Sequence, residues 1–392
     1  MKIRTLILSS LAALTLNAAP EDQINAKFFS LQKLANEAAP DENVILSPYS
    51  MQQAVGMLSV GAKGDTAEQI KQALGFPDNT EEWFVRNQKE LAPEKQSVFT
   101  NYNAVVADRR LEMKPEFIQK IGSIFCGKLM LVEFSKPSLV IQILNRIIQV
   151  RTKGVIQNAL SDKDLDPDML MTLVNVLHFK DSWQYKFNVG ETSKETFTSA
   201  DGKEIKVDLM FQKVFCQYFR DEQKKVHGVI LPYKDARFEL VALMPTDKDS
   251  KMTNLLQALS EGALPGWLKS ANNKNQTILF LPKMNLSAKQ DLSSLLYDSG
   301  MENAFSLSKA DFSGIVSDKI CVDKVLQMVK LDINETGTEA AAVTIALPKA
   351  ASAPRPAVEI TNYFCADRPF CLILHYKPTG AILISGVINR LP

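Results

Sequence analysis

The sequence predicts an α+β protein that contains large, mainly antiparallel sheets. Apolar residues at helical spacing dominate before residue 126, strand-like segments dominate after residue 170, and no fixed-period repeat is visible. Of the 392 residues, 46% are hydrophobic and 23% are charged, which is typical of a globular chain and excludes collagen, long coiled coil and wholesale disorder. No flexible linker divides the chain, so we expect one composite domain.

The first part of the chain carries most of the predicted helices. Their ends are predicted from single residues, because Ser and Pro favour the start of a helix and Gly favours its end. The polar interval 77–97 predicts a loop or a short helix. The predicted helices are 24–38, 51–59, 65–74 and 115–125, and the predicted strands between them are a short one from Asn43 that ends at Pro48 and one over 100–106.

The second part of the chain carries most of the predicted strands. Met171–Phe179 is an almost continuous apolar run, which is typical of a strand buried on both faces. A helix is predicted between Gln290 and Ser299, where Gly300 can end it. Further strand-like segments are 204–219, 226–233, 237–244, 276–282, 321–333, 358–374 and 380–387.

The N-terminus has the pattern of an export signal. A basic start precedes an apolar run of about twelve residues, too short to span a bilayer, and small residues follow at Ala18 and Ala19. This predicts a signal peptide over residues 1–18, cut after Ala18 because Pro20 disfavours the next bond; a buried N-terminal helix is the alternative. No later stretch reaches about 18 apolar residues, so we expect no membrane span and a secreted or periplasmic domain over 19–392.

Charge and cysteine usage narrow the function classes. The 45 basic and 44 acidic residues give a net charge of +1, which does not suggest a nucleic-acid binder. Only three His are present, so we expect no metal site and no cofactor. In a strand, Cys365 and Cys371 would lie about 20 Å apart, too far for a disulfide. We therefore expect the five Cys to be buried free thiols.

Catalytic motifs are missing from the sequence. It contains neither the Gly-x-Ser-x-Gly nor the His-Glu-x-x-His pattern. Gly56–Gly61 is similar to the start of a phosphate-binding loop, but Ala62 stands where that loop needs Lys. The sequence thus predicts that the protein is not an enzyme.

The segment between about residues 333 and 357 is unusual for a loop. A loop this long in a compact domain is usually functional or disordered, yet this one is rich in Ala and β-branched residues. One face of the extended chain would carry only small side chains, suited to a narrow slot. These side chains are Thr338, Ala340, Ala342, Thr344 and Ala346.

This segment and several other blocks resemble the serpin family. The run Glu335-Thr-Gly-Thr-Glu-Ala-Ala-Ala342 resembles the hinge of inhibitory serpins, and Phe364-Cys-Ala-Asp-Arg-Pro-Phe370 resembles the family signature that follows the reactive loop. The ordered set of blocks, rather than the hinge alone, carries the resemblance. The other blocks are 43–50, 61–67, 175–183, 231–233, 281–283 and 310–314.

The resemblance implies a serpin fold with three β-sheets, eight to nine helices and an exposed reactive-centre loop at about 337–357. It further implies a monomeric protein that acts as a suicide substrate. A serine protease cleaves the loop and stays bound to it as an acyl-enzyme, and the protease is distorted when the loop inserts into a sheet. A non-inhibitory serpin, acting as a chaperone or carrier, is the alternative. The hinge residues by this match are Glu335, Gly337, Thr338, Glu339, Ala340, Ala341 and Ala342.

The family motif also assigns residues that control opening of the sheet. Gln327 stands where the family usually has His, and its amide can donate and accept hydrogen bonds without titrating. The match pairs Glu335 with Lys283 near the point of loop entry, with Trp183 close by. The assigned residues are Ser47, Ser50, Asn175, Gln327, Trp183 and Lys283.

The reactive bond follows from the same match. Counting from Gly337 as the family does places the bond at Ala351–Ser352. A small Ala before the cut suits an elastase-like serine protease. Lys349–Ala350 is the alternative bond, which a trypsin-like protease would read.

Overall fold

The computed structural model describes residues 19–91, 98–247, 250–338 and 360–392. Within these ranges the chain forms nine α-helices and three β-sheets, which confirms the predicted α+β class. The predicted signal peptide, residues 1–18, lies outside the described part of the chain, as does the segment 339–359. None of the helices in the described ranges has the length and apolar character that a membrane crossing requires.

Six of the described helices precede residue 152. The Ser47 hydroxyl caps the second helix by accepting the Ser50 N–H at 3.1 Å, so this helix starts at Pro48, three residues before the predicted start. The helices are α1 Pro20–Ala38, α2 Pro48–Ser59, α3 Gly64–Leu74, α4 Thr80–Glu90, α5 Pro115–Phe125, α6 Pro137–Arg151, α7 Met252–Ser260, α8 Leu264–Ser270 and α9 Ser293–Asp298.

The two smaller sheets have six and four strands. The six-stranded sheet contains, in spatial order, β1 Val44–Leu46, β17 Ala381–Ile388, β16 Phe370–Tyr376, β10 Phe238–Pro245, β9 Val226–Pro232 and β8 Gln217–Asp221. The four-stranded sheet contains β15 Ile360–Cys365, β11 Gln276–Pro282, β7 Glu204–Val214 and β6 Ser193–Thr198. Both sheets lie against the same apolar cluster, which joins them into one core.

The largest sheet has seven strands. They are β2 Phe99–Asp108, β3 Lys128–Val132, β4 Met171–Phe179, β5 Asp181–Ser182, β12 Met284–Asp291, β13 Lys324–Asn334 and β14 Gly337–Thr338. At its centre β4 and β13 are parallel neighbours, and each pairs antiparallel with a strand on its other side, β2 and β12 respectively. Every residue of β4 is buried, as its continuous apolar run predicts.

Two strand predictions need correction, and strands β3, β6 and β12 were not predicted. The predicted strand 204–219 is two strands, β7 and β8, which belong to different sheets, and 358–374 likewise divides into β15 and β16. Strand β12 was not predicted, because it is an edge strand with polar residues on its exposed face. Since β12 extends to Asp291, the helix predicted from Gln290 begins only at Ser293.

Helix α6 lies over the centre of the largest sheet. Its buried residues are Val140, Ile141, Leu144 and Ile148. They belong to one apolar cluster with residues of β2, β4 and β13, among them Val174 and Leu326. Helix α6 and strands β2, β4 and β13 therefore contribute to one apolar cluster at the junction between β4 and β13.

All five cysteines are free, as predicted. Cys216 and Cys371 are buried, and Cys321 and Cys365 are partly buried. The prediction of burial is wrong for Cys126, which is exposed at the C-terminal cap of α5, where its φ is 48°.

Candidate functional site at the seam of the largest sheet

The seam of the largest sheet, defined as the paired edges of β4 and β13, leads to the predicted hinge. Residues 172–178 of β4 pair in parallel with residues 324–330 of β13. Past the end of this pairing, β14 lies between β13 and β5, so that Thr338 pairs with Ile333 on one side and with Asp181 on the other. Because β14 is antiparallel to β13, it is directed along the seam.

Gly337 is the residue that allows this close approach. Its φ is +154°, and a Cβ at this position would collide with the carbonyl oxygen of Asp181 and with Ser182. Only glycine fits between β13 and β5 without displacing backbone. The hinge residue Gly337 thus meets a packing requirement of the sheet.

Thr338 is the last hinge residue that the structure describes, and it is fully buried. Its Oγ1 forms a 2.6 Å hydrogen bond with the Tyr233 hydroxyl. Tyr233 is itself buried and stacks on Trp183, with ring centroids 4.5 Å apart. Burial raises the pKa of Tyr233 far above its ordinary value, so the phenol stays neutral. Sequence reasoning assigned Tyr233 no role beyond its place in a family block.

Glu335 and Lys283 form the predicted ion pair. Lys283 Nζ lies 3.1 Å from Glu335 Oε1, which also accepts a 2.9 Å hydrogen bond from the Thr192 hydroxyl. Burial alone would raise the pKa of Glu335, but hydrogen bonds from its own backbone, Thr192 and Lys283 outweigh it and hold the pKa below the ordinary value. The carboxylate is therefore charged at neutral pH.

Trp183 lies beside this pair, as predicted. Its indole Nε1 donates to the Asn334 carbonyl at 2.8 Å, and its backbone N–H donates to the Thr336 carbonyl at 2.9 Å. The turn that leads from β13 into β14 is thus held by side-chain and backbone contacts from β5 and the residue after it.

The other assigned residues form a separate cluster in the middle of the seam. Gln327 and Asn175 are register partners on β13 and β4. Gln327 Oε1 accepts the Ser47 N–H at 2.8 Å, and Gln327 Nε2 donates to the Ser47 carbonyl at 3.0 Å. Both Asn175 Nδ2 and Ser50 Oγ donate to Asn101 Oδ1, at 3.5 and 3.4 Å. The amide of Gln327 therefore ties the seam to the start of α2.

Comparison with known proteins decides the family. A family model described as "Serpin (serine protease inhibitor)" matches residues 23–391. The chain is a serpin. This serpin is 28% identical over 364 residues to glia-derived nexin of Rattus norvegicus, with 90% of this chain and 89% of the relative covered.

Solved structures agree with this assignment. This serpin matches native protease nexin-1 with heparin at a TM-score of 0.82 and 25% identity, covering 95% of this chain and 98% of the other. It also matches human thyroxine-binding globulin in complex with thyroxine at a TM-score of 0.83 and 26% identity, with the same coverage. The predicted serpin fold, with three sheets and nine helices in the described ranges, is confirmed. Most of the predicted exposed loop 337–357 lies outside the described residues, and its first two residues, Gly337 and Thr338, are buried in β14 rather than exposed.

The predicted site residues that the structure describes lie in two separate places. Trp183, Lys283 and the first hinge residues meet where the seam ends, whereas Ser47, Ser50, Asn175 and Gln327 meet halfway along it. The remaining hinge residues, Glu339 to Ala342, and the predicted reactive bond Ala351–Ser352 lie outside the described residues. No group of three or more His, Cys, Asp or Glu side chains suited to a metal ion occurs in the described ranges.

The ion pair of Glu335 and Lys283 gives a first testable prediction. In a double-mutant cycle with Glu335→Gln and Lys283→Met, we expect a coupling of about 0.5–1 kcal/mol in the free energy of unfolding, because Lys283 is 38% exposed. Since the pKa of Glu335 is lowered in the folded state, the coupling should be present at neutral pH and disappear as pH falls through that pKa. Additive single-mutant effects at pH 7 would show that the two charges act independently.

Proposed function

We propose that this serpin inhibits a serine protease as a suicide substrate. The protease cleaves the loop that follows Thr338 and becomes esterified to it. The freed loop then enters the seam as a new strand, and the tethered protease is distorted before water completes hydrolysis. The observation that carries the proposal is β14, which occupies the first step of such a strand, between β13 and β5.

The energetics favour insertion once the loop is cut. About ten new backbone hydrogen bonds at about 1 kcal/mol each would add on the order of 10 kcal/mol. Ala351 lies thirteen positions after Thr338, so full insertion would carry the protease about 40 Å at about 3.3 Å per residue. The serpin supplies no catalytic residue, because the residues of the protease itself cleave the loop and form the ester with it.

The inward face of the loop supports inhibition over a passive role. Thr338 enters a fully buried position, and the next residues on that face of an extended chain are Ala340 and Ala342. Small side chains there would allow entry at a rate that competes with deacylation. A carrier role, suggested by the likeness to thyroxine-binding globulin, is the second candidate, but it places no such restriction on the hinge.

Partner and location follow from the same proposal. The partner is a serine protease bound in a covalent complex, and the serpin acts as a monomer without a cofactor, nucleic acid or membrane span. Residues 1–18 would direct export, so inhibition would take place in the extracellular space or the periplasm. The preferred target is an elastase-like protease, because Ala351 precedes the proposed reactive bond.

The reactive bond can be identified from the released peptide. On mixing with an elastase-like protease, we expect an SDS-stable complex and a C-terminal fragment that begins at Ser352 by mass spectrometry. Ala351→Arg should redirect inhibition to trypsin-like proteases, because the side chain of the residue before the cleaved bond fills the primary specificity pocket of the protease. A protease whose nucleophilic Ser is replaced by Ala should give no covalent complex. A fragment that begins at Ala350 would contradict the assignment.

A further inference from the structure

The segment 152–170, here called the connector, joins α6 to β4 and crosses the seam. It is covalently continuous with β4 on one side. On the other side its apolar residues, among them Leu160 and Leu165, share a cluster with Leu326 and Met328 of β13. The connector therefore contacts both strands that an inserting loop must separate.

An ion pair attaches the connector to β12. Lys289 Nζ lies 2.7 Å from Asp164 Oδ2 and 3.0 Å from Asp164 Oδ1. Ser161 donates to the same carboxylate from its N–H at 2.6 Å and its hydroxyl at 2.9 Å. Burial of Asp164 alone would raise its pKa, but these hydrogen bonds outweigh it and lower the pKa. The Asp164 carboxylate is therefore charged at neutral pH.

Two lysines of β13 make further contacts with the connector. Lys324 Nζ donates to the carbonyls of Lys163 and Asp164, each at 3.1 Å. Lys330 Nζ lies 3.4 Å from the carbonyl oxygen of Val155. Polar contacts from β12 and β13 thus reach the connector at both of its ends.

The connector is also well ordered by its own hydrogen bonds. Asn145 of α6 donates to the Leu160 carbonyl at 2.9 Å and accepts the Leu160 N–H at 2.8 Å. The Thr152 hydroxyl accepts the Ile156 N–H at 3.1 Å. Because the connector is fixed to α6 and β4 in this way, moving β13 away from β4 must break the lysine contacts or displace α6.

We propose that Asp164 and Lys289 are positioning residues of the inhibitory reaction, whose ion pair clamps the connector across the seam and limits the rate at which the loop inserts. This inference rests on the proposed function. The clamp keeps the seam closed before cleavage and is released when the loop enters. Lys324 acts with it, since it holds the same turn of the connector from β13.

Insertion can be measured without a protease by following uptake of a synthetic peptide that copies residues 338–350. Lys289→Met removes the charge and keeps the length of the side chain. We expect it to take up the peptide about two- to fivefold faster than the unmodified serpin, as the loss of one partly exposed ion pair implies. Lys289→Arg should restore the original rate, because it keeps the pair.

The matched control is Lys224→Met. Lys224 is 39% exposed, against 38% for Lys289, and pairs with Glu261 at 3.3 Å between the turn that joins β8 to β9 and the end of α7, so its loss should leave the rate unchanged. Equal rates for Lys289→Met and the unmodified serpin, or equal acceleration by Lys224→Met, would overturn the clamp. Lys324→Met provides a second test, with the same expected direction, should Lys289→Met fold poorly.

The same experiment separates the clamp from the proposed function. If the unmodified serpin takes up no peptide and forms no covalent complex with any protease, the suicide-substrate mechanism is wrong and the clamp is wrong with it. If it does both while neither lysine variant changes the rate, only the clamp is wrong.

Discussion

Replacement of Thr338 by Arg should strongly weaken inhibition and leave the loop a good substrate. Thr338 is fully buried between β13 and β5, and an Arg there would bring a charge into the sheet at the first step of insertion. Burial of an unpaired charge costs several kcal/mol, so deacylation should outrun insertion. We expect the molar ratio of inhibitor to protease needed for full inhibition to rise at least about tenfold, measured by titration of residual protease activity.

The matched control is Thr338→Val, which keeps the shape of the side chain. It removes the hydroxyl that contacts Tyr233 and so should weaken docking of β14 by about 1 kcal/mol, while inhibition persists. An unchanged ratio for Thr338→Arg would contradict insertion as the mechanism of this serpin.

Cleavage within the loop should raise the melting temperature by about 20 °C or more. The uncleaved chain keeps the seam closed by direct pairing of β4 with β13, and the inserted strand would add on the order of 10 kcal/mol of hydrogen bonding. The measurement is thermal unfolding, monitored by circular dichroism. It is made on the intact serpin and on the same sample after limited proteolysis between residues 339 and 359.

Cleaved Thr338→Arg is the control for this result. Its cut loop should stay outside the sheet, so that its melting temperature rises little on cleavage. Equal melting temperatures for intact and cleaved serpin with Thr338 in place would argue for a non-inserting protein and favour a carrier role.

The sequence was sufficient to predict the elements whose pattern is local. The apolar run of β4 and the helix Pro115–Phe125 have local signatures, which are a continuous run of apolar residues and helical spacing of apolar residues. The ion pair of Glu335 with Lys283 was also predicted, although only through resemblance to a family, since the two residues are far apart in the chain.

Contacts between distant segments could not be predicted in the same way. Tyr233 and Thr338 are separated by 105 positions, and nothing in the local sequence of either residue indicates their hydrogen bond. Strand β12 escaped prediction because half of its residues face solvent at a sheet edge. The connector was missed because its order depends on lysines of two strands that lie more than 120 positions later in the chain.

The parallel pairing of β4 with β13 interrupts the alternation of strand direction in the largest sheet. These two strands are parallel neighbours between antiparallel partners, so among the strands from β2 to β12 the alternation of direction fails once, at the seam. A single strand that runs opposite to both would restore alternation from β2 through β12. Parallel pairing is slightly less stable per residue than antiparallel pairing. The run of strands from β2 to β12 is thus one strand short of a regular alternating order, and β14 already has the direction that the missing strand needs.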